Sequence, residues 1–149
     1  MRLRYKVRYS EEPNNEDAPD WIAEIPDVGG AGIASCGTSL AHARAMARDA
    51  VTQVLLSRIE AGEEPDPPTE GRLPAGWEWV YPDVRVEVAY TIRKERKKHG
   101  LTMKEAAQRM GVSFSAYQRW EDPERCNATI ETLERLAGVF GRTLDVSFV

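Results

Sequence analysis

Residues 102–122 read TMKEAAQRMGVSFSAYQRWED, and their spacing decides the fold of the second half of the chain. Thr102 stands three positions before Glu105, the spacing of a capping box. In that motif the threonine oxygen accepts a free amide N–H and the glutamate carboxylate accepts the threonine N–H. Ala106, Ala107 and Met110 then line one face of a helix about two turns long. Gly111 ends it, because a tight turn into the next helix needs a positive φ. Val112 plugs the turn, Ser113 caps the second helix, and Tyr117 and Trp120 form that helix's inner face. Phe114, Ser115, Gln118 and Arg119 are left facing outward.

Two short helices crossing steeply need a small residue where their backbones meet, and Ala107 supplies it. This is the helix-turn-helix arrangement, in which the second helix lies in the major groove of a duplex. The flanks agree. Val86, Tyr90, Ile92 and Arg93 belong to a preceding helix that ends KERKKHG. Thr129 caps a following one, TIETLERLAGVFG, with Ile130, Leu133, Leu136, Ala137 and Phe140 inward. On these residues the segment 86–141 resembles the XRE/Cro-repressor class of five-helix domains, less its last helix. The resemblance implies a structural salt bridge between Arg96 and Glu121, tying the first helix to the end of the recognition helix.

The same reading assigns DNA contacts. Base edges are expected to meet Ser113, Phe114, Ser115 and Arg119, with Arg119 suited to bidentate pairing with guanine. Phosphates are expected to meet Thr102, Lys104, Gln118, Arg125 and Asn127. Position 103 is Met and position 114 is Phe, where the class often has glutamine. The basic run Arg93-Lys94-Arg96-Lys97-Lys98 reads as a solvated face gaining from the helix macrodipole.

The chain has 149 residues, a formal net charge of −4, and an ordinary balance of 42% hydrophobic and 30% charged residues. That suits one domain or two small ones. No apolar run approaches a membrane span, and MRLRYKVRYSEE has no apolar stretch of the kind a secretory signal carries. Cys36 and Cys126 stand far apart with no metal-type spacing, which points to reduced thiols in the cytoplasm. No cofactor is implied. The charge divides unevenly: residues 1–83 hold 8 Lys/Arg against 15 Asp/Glu, and residues 84–149 hold 12 against 9. Such asymmetry suggests that the halves meet different partners.

The first half reads as α+β. Leu3, Tyr5, Val7 and Tyr9 alternate with cations as a half-buried strand. A polar connection, SEEPNNEDAPD, leads to a second strand, WIAEIPDV, stopped by Pro26. A short third strand is expected around Ile33 and Ala34. Leu40, Ala43, Ala47, Ala50, Val51, Val54 and Leu55 mark one face of a helix capped by Ser39 and stopped at Gly62. The proline-rich segment within 61–76 is a loop, and WEWVYPD is a further strand completing the sheet. At the end of the chain, residues 143–149 alternate again. Leu144, Val146 and Phe148 share one face of an expected final strand that holds a homodimer or higher homo-oligomer.

On Tyr5, Trp21, Ala23, Pro26, Asp27, Ser39, Leu40 and Ala43, residues 1–83 are similar to the HicB antitoxin family. The resemblance implies a partial ribonuclease-H-like sheet with a helix and a HicA-type partner, a small basic ribonuclease that the domain neutralises by binding. It also implies that the helix-turn-helix half represses its own operon. Partner contacts are placed at Trp21, Ile22, Glu24 and Asp27, and on the helix. The alternative is a stand-alone XRE-family regulator whose first domain senses a small molecule in a roomy apolar pocket. Metal-dependent ribonuclease chemistry would need converging carboxylates. Asp20, Glu24, Asp27 and Asp49 do not supply a convincing set, so no catalytic or metal residue is assigned.

Overall fold

The computed structural model describes residues 2–13 and 20–149, so the middle of the expected SEEPNNEDAPD connection lies outside the described residues. The chain divides into two compact units meeting at Val84 and Arg85. The architecture is α+β: a four-stranded antiparallel sheet with one helix, then four helices.

In the first unit β1 (Tyr5–Glu12), β2 (Asp20–Ile25) and β3 (Ile33–Gly37) lead into α1 (Leu40–Glu60) and then β4 (Trp77–Val80). The sheet order is β3-β2-β1-β4, every neighbouring pair antiparallel. β1 runs farther than its apolar alternation, because Ser10, Glu11 and Glu12 pair with Ile22, Trp21 and Asp20. Backbone pairing, not side-chain burial, extends it. Period-two alternation sends Tyr5, Val7, Ala23 and Ile25 to one face, all fully buried. α1 covers that face with Ala43, Ala47, Val51, Leu55 and Ile59. Ser39 caps α1 by accepting the His42 N–H at 3.1 Å. Gly37 lets the helix start this close to β3, since a Cβ there would lie 2.4 Å from the Ala43 nitrogen.

Pro26 ends β2, and the loop after α1 takes over the vacated edge of β1. Thr69 donates its N–H to the Arg4 carbonyl at 2.9 Å, and its Oγ1 accepts the Lys6 N–H at 3.1 Å. The Tyr5 hydroxyl donates to the Asp66 carbonyl at 2.7 Å. The Asp66 carboxylate is buried, and it accepts from Gly29 N–H at 3.2 Å and from Arg58 Nε at 3.0 Å. The proline-rich loop is thereby bonded into the sheet.

The second unit consists of α2 (Val84–Lys98), α3 (Met103–Met110), α4 (Phe114–Trp120) and α5 (Ile130–Val139). Its core is Ile92, Ala106, Ala107, Met110, Tyr117, Leu136 and Phe140. Two expectations are corrected. Ile130, expected inward, is 70% exposed, because it is the first residue after the Thr129 cap and its position on the first turn faces solvent. Residues 143–149 form no strand: a strand needs a partner for its N–H and C=O groups, and none pairs with it among the described residues.

Replacing Asp66 with Ala removes the acceptor of a part-buried hydrogen bond from the Gly29 N–H and the partner of a half-buried guanidinium. The expected cost is about 1–3 kcal/mol of first-unit stability, measured by urea unfolding. Asp66→Asn, which keeps an acceptor, is expected to cost less.

Candidate nucleic-acid interface

The capping box at the start of α3 is complete. Glu105 N–H donates to Thr102 Oγ1 at 3.1 Å, and Thr102 N–H donates to the Glu105 carboxylate at 2.8 Å. Gly111 takes the left-handed conformation, φ +69°, and Val112 N–H returns to the Ala107 carbonyl at 3.0 Å. Arg135 from α5 donates to the Met110 carbonyl at 2.6 Å, satisfying an orphan acceptor at the α3 end. Ser113 then caps α4 by accepting the Ala116 N–H at 3.2 Å. Tyr117 is fully buried and meets Trp120 edge-to-face at 5.8 Å.

α4 is held from behind by charge. Arg96 of α2 donates from Nε and Nη2 to the two carboxylate oxygens of Glu121 at 2.6 and 3.0 Å. Its Nη1 donates to the Leu101 carbonyl at 2.7 Å, and the Tyr117 hydroxyl donates to Glu121 Oε1 at 2.8 Å. Both ionic side chains are nearly dry, 9% and 2% exposed. The hydrogen bonds from Arg96 to Glu121 hold the guanidinium firmly protonated. Burial, then the Glu121 charge, pushes the Tyr117 phenol well above its usual range.

With Tyr117 turned inward, the opposite side of α4 carries Phe114, Ser115, Gln118 and Arg119 in one exposed stripe of i, i+1, i+4 and i+5 positions. Phe114 is 48% exposed, unusual for a phenylalanine that has a core beside it. Ser113 sits at the head of the stripe, where its oxygen is engaged by the cap while its hydroxyl proton remains available. Thr102 and Lys104 are exposed at the N-terminal end of α3. Arg125 follows α4 in a turn, where it is tied to Asp122 at 2.6 Å and holds that carboxyl below the usual range. Asn127 is exposed nearby in sequence. The basic run on α2 is partly engaged within the unit: Arg96 is buried, Lys98 pairs with Glu95 at 3.2 Å, and Lys94 lies 5.6 Å from the Tyr90 ring.

This geometry is a solvent-facing helix of seven residues, aimed by a buried bidentate ion pair. Residues 92–147 match the helix-turn-helix family. That family consists of DNA-binding regulators, generally without enzymatic activity. No curated protein matches the chain. The domain supports DNA binding and transcription regulation as the role of this half. Among the described residues no three His, Cys, Asp or Glu side chains converge as a metal site would require, and no helix is long and apolar enough to cross a membrane.

In the first unit the four candidate partner-contact residues do not form one patch. Trp21 shares the helix-facing side of β2 with Ala23 and Ile25, whereas Ile22 and Glu24 lie on the opposite side. Glu24 is occupied by Arg8 at 2.5 Å. Asp27, in the turn after β2, accepts the Thr69 hydroxyl at 2.6 Å and pairs with Lys6 at 3.4 Å. These bonds border a groove of about 530 Å³ lined by Lys6, Asp27, Asp66 and Glu70 with prolines between them, a polar lining and not an apolar one. The sequence reading passed over Arg135 and the aromatic residues of β4; period two in WEWVY was the available signal for the latter.

Removing one partner of the buried pair, by Arg96→Met or Glu121→Ala, is expected to cost about 3–5 kcal/mol and to unfold the second unit first, seen as loss of its transition in urea. The raised Tyr117 pKa gives a pH signature. The neutral phenol is favoured in the folded state, so its contribution is complete below pH about 10 and is lost as pH rises further. Unfolding free energy of the second unit is expected to fall above that pH, and Tyr117→Phe is expected to flatten the slope.

Proposed function

We propose that the chain is a transcriptional repressor that reads its operator with α4 and carries, in its first unit, the docking surface for a protein partner. The observation that carries the DNA half is the exposed Phe114–Ser115–Gln118–Arg119 stripe backed by the Arg96–Glu121 pair. In it Arg119 offers bidentate donors to a guanine edge, and Phe114 offers apolar contact to a thymine methyl. Ser113 and Ser115 complete the base-reading set. Thr102, Lys104, Gln118, Arg125 and Asn127 fix register on phosphates.

The finer reading is an antitoxin: the first unit neutralises a HicA-type ribonuclease, and the second represses the operon that encodes both. What supports it is the HicB resemblance together with the β-β-β-α-β element order. Its matching residues are largely frame-building. Tyr5 and Ala23 are core, Pro26 ends β2, Asp27 anchors Thr69, and Ser39 caps α1. The surface suited to a small basic partner is the end of α1 and the loop beyond it, where Glu60, Glu63, Glu64 and Glu70 are exposed. Opposite potentials there would speed encounter and exclude wrong partners.

The repressor acts as a dimer. Val146 is 63% exposed and Phe148 wholly so, while Leu144, nearer to α5 in sequence, is half-buried. Pairing with the same segment of a second chain would supply the partner that residues 143–149 lack.

Arg119→Ala is expected to weaken binding to a duplex from the chain's own promoter by about 1–3 kcal/mol and to relax base preference, while partner binding is unchanged. Electrophoretic mobility shifts and calorimetry with the co-expressed neighbouring protein read the two separately; loss of both together would make Arg119 structural. Deleting residues 143–149 is expected to convert a dimer to a monomer in sedimentation equilibrium, and an unchanged dimer would move the interface elsewhere.

A further inference from the structure

Four cations and three aromatic rings face each other in two rows on the side of the sheet that α1 leaves uncovered. Antiparallel pairing sets Lys6 opposite Trp79 and Arg8 opposite Trp77. Pleating sends Arg4, Lys6 and Arg8 to the same side as these rings. The Arg4 guanidinium carbon lies 4.1 Å from the centre of the Trp79 ring, and that of Arg8 lies 5.4 Å from Trp77. The Lys6 ammonium is 5.7 Å from Trp77, and Arg2 lies 4.8 Å over Tyr81. Lys6 also pairs with Asp27, and Arg8 with Glu24. Arg4 has the indole face and no ion pair among the described residues. Glu12 and Asp20 make the far end of this face acidic, so the positive strip is confined to the β1–β4 side.

This placement runs against the composition. Residues 1–83 are acidic in sum, yet four of their eight Lys/Arg stand in this one row. Packing does not require it, since a solvated sheet face is served as well by mixed charges.

We propose that this face binds single-stranded RNA. Cations at every second residue of a strand recur about every 6.8 Å, matching the repeat of phosphates along an extended polynucleotide. A guanidinium held against an indole, as the 4.1 Å distance puts Arg4 on Trp79, still has N–H donors for phosphate oxygens. Indole and guanidinium planes are the surfaces on which unpaired bases stack, whereas a duplex hides its base faces. A four-stranded antiparallel sheet, helix behind and aromatics in front, is a general platform for single-stranded RNA. An acidic polypeptide would use the cations but would not need the flat stacking surfaces beside them. The inference stands apart from the operator reading, which uses the other unit.

The test uses the full chain and a fluorescein-labelled 12-nucleotide oligo(U) in anisotropy titrations. Binding is expected with quenching of tryptophan fluorescence and a slope of log K against log salt of about −2, for about three neutralised phosphates. Arg4→Gln and Trp79→Ala, each with circular dichroism matching the parent, are expected to weaken binding at least tenfold. Arg119→Ala is expected to leave it unchanged. The proposal is overturned by any of four results: no binding at 50 mM salt; Arg4→Gln binding like the parent; duplex RNA or oligo(dT) binding more tightly than oligo(U); or polyglutamate displacing oligo(U) at equal charge, which would make the face a dock for an acidic protein.

Discussion

The orientation of α4 depends on one buried ion pair. Arg96 and Glu121 have left water almost completely, a transfer that costs several kcal/mol per ion unless the pair is close and the remaining hydrogen-bonding groups are used. Here they are. Both Glu121 oxygens are engaged, one of them twice, and Arg96 reaches the Leu101 carbonyl as well. No buried side-chain nitrogen or oxygen among the described residues lacks a partner. An apolar trio of similar volume could match the stability. What the charged set adds is direction, because a guanidinium fork meets a carboxylate in one plane and fixes the rotation of α4 about its own axis. That rotation decides which residues of the seven-residue helix face outward.

The first unit is organised by an exchange of neighbours along β1. Antiparallel pairing with β2 serves its far half, up to the point where Pro26 removes a donor; Thr69 then serves the near half. The loop that brings Thr69 there is fastened by Asp66, and Asp66 is fastened by Arg58 near the end of α1. A strand, a helix end and a loop are therefore one hydrogen-bonded object. The same object separates the charges: acidic residues collect around the end of α1 and the loop, and basic ones on the uncovered face of β1.

Much of the second unit was legible because its signals are local. Thr102, Glu105, Gly111, Ser113 and Thr129 each specify a helix end within three or four residues, and all of them cap or stop a helix. The sheet was less legible. Alternation identified the strands, but their lateral order is a property of chain return, and nothing in WEWV says that it lies beside β1 and not beside β3. Without that order, Arg4, Lys6 and Arg8 read only as the cations of a half-buried strand, and Trp77 and Trp79 only as residues of a further strand. The division of Trp21 from Ile22 and Glu24 follows from the pleat and could have been read from period two alone. Residues 143–149 misled for a different reason: alternation measures what a segment would do beside a partner, and a single chain does not provide one.

Arg142 donates to Glu95 of α2 at 3.2 Å, which pins the root of the terminal tail to the helical bundle. Phe148 lies six residues beyond it, a leash of about 20–22 Å at full extension. Whatever captures Val146 and Phe148 must approach within that radius of the pinned arginine. Loosening the arginine would lengthen the leash and blur the geometry of any assembly built on it, even though no contact within that assembly had changed.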